Sequence, residues 1–154
     1  MAVQISTEQI KQLRDATGVS VMLCRKALEE AGGDREKAKA ILARSGAAAA
    51  AKKAARALGA GAVAAYIHHG GTVGALVVLS SETDFVSGNA AFQALAHDIA
   101  MQVAATAPET LDELLAAPFI RNPDETVQTL VTGAIQKFGE RIEITRFARF
   151  AVKN

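Results

Sequence analysis

The sequence predicts an α+β fold, in which a small helical module precedes a three-stranded antiparallel sheet packed with helices. Three observations lead to it. Residues 1–46 contain three helical patterns separated by glycines. Residues 62–81 contain two strand patterns around a glycine-rich turn. Residues 141–145 alternate strictly between polar and apolar side chains, the pattern of a half-buried strand.

Capping signals define the helices of the N-terminal module. Ser6 and Gln9 have the spacing of a capping box, and Asp34 is placed to cap the third helix. The glycines that follow each apolar pattern are expected helix stops, the last of them near Ser45-Gly46. The first predicted helix runs from about Thr7 to Ala16, and the second runs from Ser20 to the stop at Gly32-Gly33. The third follows the Asp34 cap and ends near Ser45-Gly46.

An Ala- and Lys-rich segment of high helix propensity, residues 47–57, follows the module. Glycines at positions 59 and 61 end it. We therefore expect a three-helix module over residues 1–46, a helical linker over 47–60 and an α+β core domain over 61–154.

The core domain is predicted from strand and helix periodicities. A hairpin has strands at Ala62–His68 and Val73–Ser81, and a third strand begins near Arg141 and is bulged near Arg146, where its alternation slips. An apolar stripe predicts a long helix after Val86. A short helical piece at residues 111–116 and a helix opened by Asp124 and Glu125 follow along the chain.

Composition limits the class of protein. The chain has 154 residues, 50% hydrophobic and 21% charged, a balance typical of a globular protein. Its single cysteine, Cys24, excludes an internal disulfide and fits a reducing compartment, so we expect a cytoplasmic location. The chain shows neither the pattern of a secretory signal nor an apolar run long enough to span a membrane.

Charge is distributed unevenly along the chain. Residues 1–57 carry 11 Lys and Arg against 6 Asp and Glu, a net charge of +5, whereas residues 58–154 carry 6 against 10, a net charge of −4. A basic front half suits an acidic partner surface, although a solvated helical face is the simpler explanation. The basic run at Lys52, Lys53 and Arg56 lacks interleaved aromatic residues, so direct nucleic-acid binding is not expected.

The connection between the second strand and the long helix carries an acid beside an aromatic ring. It reads Thr83-Asp84-Phe85-Val86. An exposed ring here would be a probe for a partner surface. The pattern alone favours a structural alternative, in which Ser87 is the N-cap, Val86 forms a hydrophobic staple, Phe85 folds under the sheet and Asp84 caps the helix.

Motifs for chemistry are absent from the sequence. It has no phosphate-binding glycine loop, no HExxH pair and no GxSxG elbow. His68 and His69 are neighbours on a strand and point to opposite faces, which makes them poor joint metal ligands. Cys24 lies among helical apolar positions and is expected to be a packed thiol. We therefore expect a binding protein without cofactor or metal, and not an enzyme.

Three blocks of the chain resemble one known family. They are LRDATGVSVMLCRKALEEAGGDREKA at Leu13–Ala38, YIHHGGTVGALVVLSSETDFV with IAMQVAA within Tyr66–Ala105, and KFGERIEITRFARF at Lys137–Phe150. Their residues and order are similar to those of bacterial translation elongation factor Ts, in the short form. The Thr83–Val86 segment is the most specific part of the match, and the first block is similar to that family's ubiquitin-associated-like module.

The resemblance implies a guanine-nucleotide exchange factor for elongation factor Tu. By analogy with the family, all four residues of the Thr83–Val86 segment bind the partner. Asp84 and Phe85 enter it near its magnesium site. Phe85 acts as a wedge, and Asp84 shifts polar groups that hold the ion. Losing the ion weakens the hold on the phosphates of GDP, because the metal bridges and neutralises them.

Other contacts implied by the resemblance are Arg25 in the module, Lys53 in the linker, and Met101 with Gln102 in the long helix. The family usually has His where this chain has Gln102. Longer members of the family carry two related halves in their core domain, whereas this chain has room for one. A single half leaves a sheet edge to cover, so we expect a homodimer through the core domain. The alternative function is a peptide- or protein-binding adaptor that uses only the three-helix module.

Overall fold

The computed structural model describes residues 3–153, within which it contains seven helices and five strands. In chain order these are α1 (Thr7–Thr17), α2 (Val21–Glu30), α3 (Arg35–Lys53), β1 (Ala60–Ile67), β2 (Val73–Ser81), α4 (Asp84–Ser87), α5 (Ala90–Thr106), α6 (Leu111–Ala116), β3 (Pro118–Phe119), β4 (Asn122–Thr126), α7 (Val127–Phe138) and β5 (Glu143–Ala151). No helix of this described part is long and apolar enough to cross a membrane.

Two compact units make up the structure. The N-terminal unit runs up to Ala55 and includes Thr132–Gly139, and the core unit consists of Arg56–Val131 and the chain from Glu140 onward. The mixture of helices with an antiparallel sheet confirms the predicted α+β class.

The N-terminal unit begins with the predicted capping box. The Gln9 backbone N–H donates to Ser6 Oγ at 3.2 Å, and the Ser6 N–H donates to Gln9 Oε1 at 2.9 Å. Gly18 has φ 70° and ends α1, as a left-handed glycine does at a helix C-terminus. The buried core of the unit consists of Leu13, Val19, Cys24, Ala27, Leu28, Ala38 and Leu42.

Helix α3 is longer than predicted. It passes through Gly46 and continues to Lys53, so the stop expected at Ser45-Gly46 is wrong. A Cβ on Gly46 would lie 2.6 Å from Thr132 Cγ2 and 2.8 Å from Gln136 Oε1. This glycine therefore permits a close side-chain approach inside a helix, and the alanines after it extend the helix because of their high propensity.

The core unit is built on a sheet in the order β1-β2-β5, antiparallel throughout. Strand β2 has the predicted bounds, and β1 begins and ends slightly earlier than predicted. Val78 pairs with Arg146 and Leu79 pairs with Ile144, which leaves Thr145 as an extra residue. The predicted bulge near Arg146 is therefore confirmed.

Helix α5 packs against one face of this sheet and carries the predicted apolar stripe. Phe92, Ala96, Ile99 and Val103 are all fully buried. The opposite face of the sheet is open to solvent and carries large apolar side chains, which are Val63, Ile67, Leu76 and Phe150.

The segment between α5 and α7 contains a strand pair that the sequence did not predict. Strands β3 and β4 form a small hairpin in which Pro118 pairs with Thr126. Asp124 and Glu125 belong to β4, so the prediction that they open a helix is wrong. Helix α7 begins at Val127, whose N–H donates to the Ala117 carbonyl at 3.1 Å. The short helix α6 has the predicted bounds.

Candidate partner-binding site

A corner of the chain joins β2 to α5 and presents an aromatic side chain to solvent. We call Thr83–Val86 the corner. Phe85 is 90% exposed and Asp84 is exposed, whereas Val86 is only 8% exposed. The structural alternative that folds Phe85 under the sheet is therefore wrong, because Val86 takes the buried position.

A separate four-residue helix gives the corner this orientation. Helix α4 occupies Asp84–Ser87, and Asn89 caps α5 through its Oδ1, which accepts the Ala91 N–H at 2.8 Å. The predicted N-cap at Ser87 is wrong, since Ser87 is the buried last residue of α4. Asp84 is not an N-cap either, because Thr83 precedes α4 in that position.

Side chains from outside α4 hold the backbone of the corner. The Thr83 N–H and hydroxyl both donate to the Glu140 carboxylate, at 3.0 and 2.6 Å. The Ser81 hydroxyl donates to the Thr83 carbonyl at 2.9 Å. Thr83 was predicted to bind a partner, but the bonds that it makes lie within the chain. The corner can therefore offer the side chains of Asp84 and Phe85 to a partner from a fixed backbone.

Gln102 lies on α5, the long helix that follows the corner, and its side chain is inside the protein. Its side chain is fully buried, and its Nε2 donates to the Pro118 carbonyl at 3.0 Å while its Oε1 accepts the Ile120 N–H at 2.9 Å. In this structure Gln102 has no free amide group to offer a partner, because both ends of the buried amide are bonded and support the β3–β4 hairpin. Its contact with a partner stays a prediction. Met101, next to it, is half-buried and keeps an accessible surface.

The remaining predicted contacts, Arg25 and Lys53, belong to the N-terminal unit. Arg25 is exposed and its Nε donates to Glu29 Oε1 at 2.8 Å, and Lys53 is half-exposed at the end of α3. Beside Arg25 on α2, Met22 is 74% exposed and Val21 is 50% exposed. Neither Val21 nor Met22 was predicted to contact a partner. The signal that could have found Met22 is an apolar side chain that lies outside the buried stripe of its helix.

His68 and Cys24 make contacts within the protein. Within residues 3–153, no three His, Cys, Asp or Glu side chains are arranged to hold a metal ion. The His68 ring contacts Tyr66, with 3.1 Å between His68 Nδ1 and the Tyr66 hydroxyl. Burial raises the pKa of the Cys24 thiol, which keeps it protonated and inert as a nucleophile.

Comparison with known proteins supplies the family. A family model described as elongation factor TS matches residues 82–154. The elongation factor Ts of Carboxydothermus hydrogenoformans is 42% identical over 191 aligned positions, which cover 95% of this chain and 88% of that protein. The chain belongs to the elongation factor Ts family. Membership gives it the role of a translation elongation factor.

Other elongation factor Ts proteins match at similar identity but differ in length. The protein of Leptospira biflexa is 38% identical, with 96% of this chain and 98% of the relative covered. The protein of Trichlorobacter lovleyi is 45% identical, and the match covers 96% of this chain but 47% of that relative. Elongation factor Ts therefore occurs in chains of different length, and this chain matches nearly the whole of a shorter one.

Proposed function

We propose that this elongation factor Ts is a guanine-nucleotide exchange factor for elongation factor Tu, which promotes GDP release in the cytoplasm and performs no chemistry of its own. The exposure of Phe85 carries this proposal. Burying a phenylalanine side chain contributes about 1.5–3 kcal/mol, so a ring that is 90% exposed on a fixed corner leaves that gain for a partner to supply.

In the proposed mechanism, Phe85 and Asp84 enter the partner near its magnesium site. Phe85 separates partner side chains, and the Asp84 carboxylate attracts polar groups that would otherwise hold the ion. An exchange factor must bind the empty partner more tightly than the GDP-bound partner, because only a difference in affinity shifts the equilibrium. A preorganised corner helps, since its backbone loses less conformational entropy when it binds than a mobile one would.

Further contacts would come from both units. In the core unit, Met101 is the accessible neighbour of the buried Gln102. In the N-terminal unit, which we propose to be ubiquitin-associated-like, Met22 and Arg25 lie on α2 and Lys53 ends α3. The combination of an exposed Met with basic side chains suits a partner surface that is partly apolar and partly acidic.

The test is release of a fluorescent GDP analogue from elongation factor Tu at fixed magnesium. We expect acceleration at amounts of this chain well below those of the partner, because an exchange factor turns over. Binding without acceleration would contradict the exchange function and leave a docking protein.

A homodimer is proposed through the core domain. The open sheet face carries Val63, Ile67, Leu76 and Phe150, and a groove of about 440 Å³ lies beside the last three of them. A second copy related by a two-fold axis would cover apolar side chains with apolar side chains. Sedimentation equilibrium should give twice the chain mass, and Phe150→Glu should return the mass of the monomer. A wild-type protein that remains monomeric at micromolar concentration would refute the dimer.

The adaptor function remains a second candidate because of α2. Val21 and Met22 form an exposed apolar pair on the N-terminal unit, independent of the corner. If the chain were only an adaptor, Met22→Ser would abolish binding to its target and Phe85→Ala would have no effect on any measured activity.

A further inference from the structure

The corner is too short to hold its own shape. Helix α4 has four residues, and helices of that length are not stable by themselves. A threonine that precedes a helix usually accepts a backbone N–H of the first turn with its side-chain oxygen. Thr83 has the extended backbone of an N-cap, with φ −127° and ψ 157°, but makes no such bond.

The Thr83 hydroxyl instead bonds to Glu140, which lies 57 positions later in the chain. Both the hydroxyl and the backbone N–H of Thr83 donate to the carboxylate of Glu140, one to each oxygen, at 2.6 and 3.0 Å. An O–H to carboxylate distance of 2.6 Å lies in the range of charge-assisted hydrogen bonds, about 2.5–2.7 Å, which are stronger than neutral ones.

A second carboxylate returns the interaction in the opposite direction. Glu82, which precedes Thr83, accepts the backbone N–H of Arg141, which follows Glu140, at 3.3 Å. Glu140 therefore binds the N–H of the residue after Glu82, and Glu82 binds the N–H of the residue after Glu140. Arg56 balances the charge of Glu82 at 3.4 Å. We call Glu82, Thr83, Glu140 and Arg141 the reciprocal clasp.

We propose that Glu140 is a positioning residue for nucleotide exchange, which fixes the corner through the reciprocal clasp so that Asp84 and Phe85 are presented in one orientation. The inference rests on the proposed function and deepens it. Glu140 itself contacts no partner in this role. Without its carboxylate, the N–H and hydroxyl of Thr83 lose the bonds that align the start of α4, and the partner must order the corner during binding.

Order at the corner can be measured without any partner, because the chain contains no tryptophan. Phe85→Trp introduces a single fluorescent reporter at the exposed position. Time-resolved anisotropy of this variant should show little fast depolarisation beyond that of the indole itself. Adding Glu140→Ala should raise the amplitude of fast motion at least about twofold, because two charge-assisted bonds are lost. An unchanged decay in the double variant would overturn the proposal.

Exchange kinetics give the functional readout, in chains that keep Phe85. Glu140→Ala should lower the maximal rate of GDP release about tenfold. Part of the binding free energy is then needed to order the corner during the exchange step, so less of it lowers the barrier to GDP release. Glu140→Gln should recover part of this loss, since the amide oxygen still accepts one N–H. Glu109→Ala, which removes an exposed carboxylate of the same unit, is the matched control and should retain the wild-type rate.

Two further measurements distinguish a failure of the Glu140 proposal from a folding defect and from a failure of the proposed function. If Glu140→Ala fails to fold, Thr83→Val removes only the hydroxyl bond at nearly constant shape and should lower the maximal rate about threefold. The loss is smaller than in Glu140→Ala because the Thr83 N–H keeps its bond to the Glu140 carboxylate. A Thr83→Val rate equal to that of the wild type would overturn the clasp. If the wild-type chain itself does not accelerate GDP release, the proposed function fails, while the anisotropy measurement still decides whether Glu140 orders the corner.

Discussion

Two regions of the core unit were both expected to touch a partner, and the structure gives them opposite surroundings. At the corner, Phe85 is 90% exposed on a backbone that neighbouring side chains hold. Later on α5, Gln102 is fully buried and bonded at both ends of its amide. Resemblance to a family therefore locates the region of a functional site, whereas burial decides which of its residues can contact a partner and which ones support them.

The largest effect that would test this comparison is on stability, at Gln102. Gln102→Leu should lower the free energy of unfolding by about 3 kcal/mol, because it strands the Pro118 carbonyl and the Ile120 N–H inside the protein. Urea denaturation followed by circular dichroism measures it. Gln93→Leu, at an exposed glutamine of the same helix, is the control. It loses only one long bond, from Nε2 to the Ser87 carbonyl at 3.4 Å, and should change stability by less than about 1 kcal/mol.

Substituting Phe85 should reduce exchange activity and leave stability almost unchanged, whereas substituting Gln102 should reduce stability. Phe85→Ala should slow GDP release from elongation factor Tu about 30-fold, the effect of losing an interface hot spot of about 2 kcal/mol. Its unfolding free energy should stay within about 0.5 kcal/mol of the wild type, since the ring is exposed. Leu111→Ala, at another partly exposed apolar side chain, should leave the rate of release unchanged. A large loss of stability in Phe85→Ala would remove the contrast with Gln102.

Asp84, next to Phe85 in the corner, should affect the rate of exchange more than the strength of binding. Asp84→Ala should reduce the maximal rate of release about tenfold and weaken binding less, because in the proposed mechanism its carboxylate acts on the partner's magnesium contacts during the exchange step. Stopped-flow release over a range of chain concentrations separates the two quantities. Equal losses in rate and binding would reduce Asp84 to a docking contact.

The smallest expected effect is in the N-terminal unit. Met22→Ser should weaken binding to elongation factor Tu about threefold, because a single exposed apolar side chain at an interface usually contributes less than a hot spot. The maximal rate of release should remain unchanged, which titration of the exchange rate will show. A loss of maximal rate would mean that α2 takes part in the exchange step itself.

Much of the fold could be predicted because its signals are local. The capping box at Ser6 and Gln9, the hairpin turn and the slip at Arg146 each lie within a few residues of the structure they specify. The stop assigned to Gly46 was wrong because the same residue type also permits close packing, and only the tertiary contact to Thr132 and Gln136 distinguishes the two uses.

The candidate site was predicted in part, for a comparable reason. The corner could be located from its residues and its resemblance, but nothing local to Phe85 decided between exposure and burial. Its backbone depends on Glu140, far along the chain, and Gln102 is enclosed by a hairpin that periodicity did not indicate. Long-range hydrogen bonds of this kind leave no pattern in the neighbouring sequence.

The most direct test of the proposed mechanism is the magnesium dependence of exchange. GDP release from elongation factor Tu would be measured with saturating wild-type chain or Phe85→Ala, first with magnesium present and then after chelation. A corner that disturbs the magnesium and phosphate site predicts a large wild-type acceleration with magnesium, which shrinks after chelation because the metal has already gone. The same acceleration in both conditions, or an equal rate for Phe85→Ala, would contradict it.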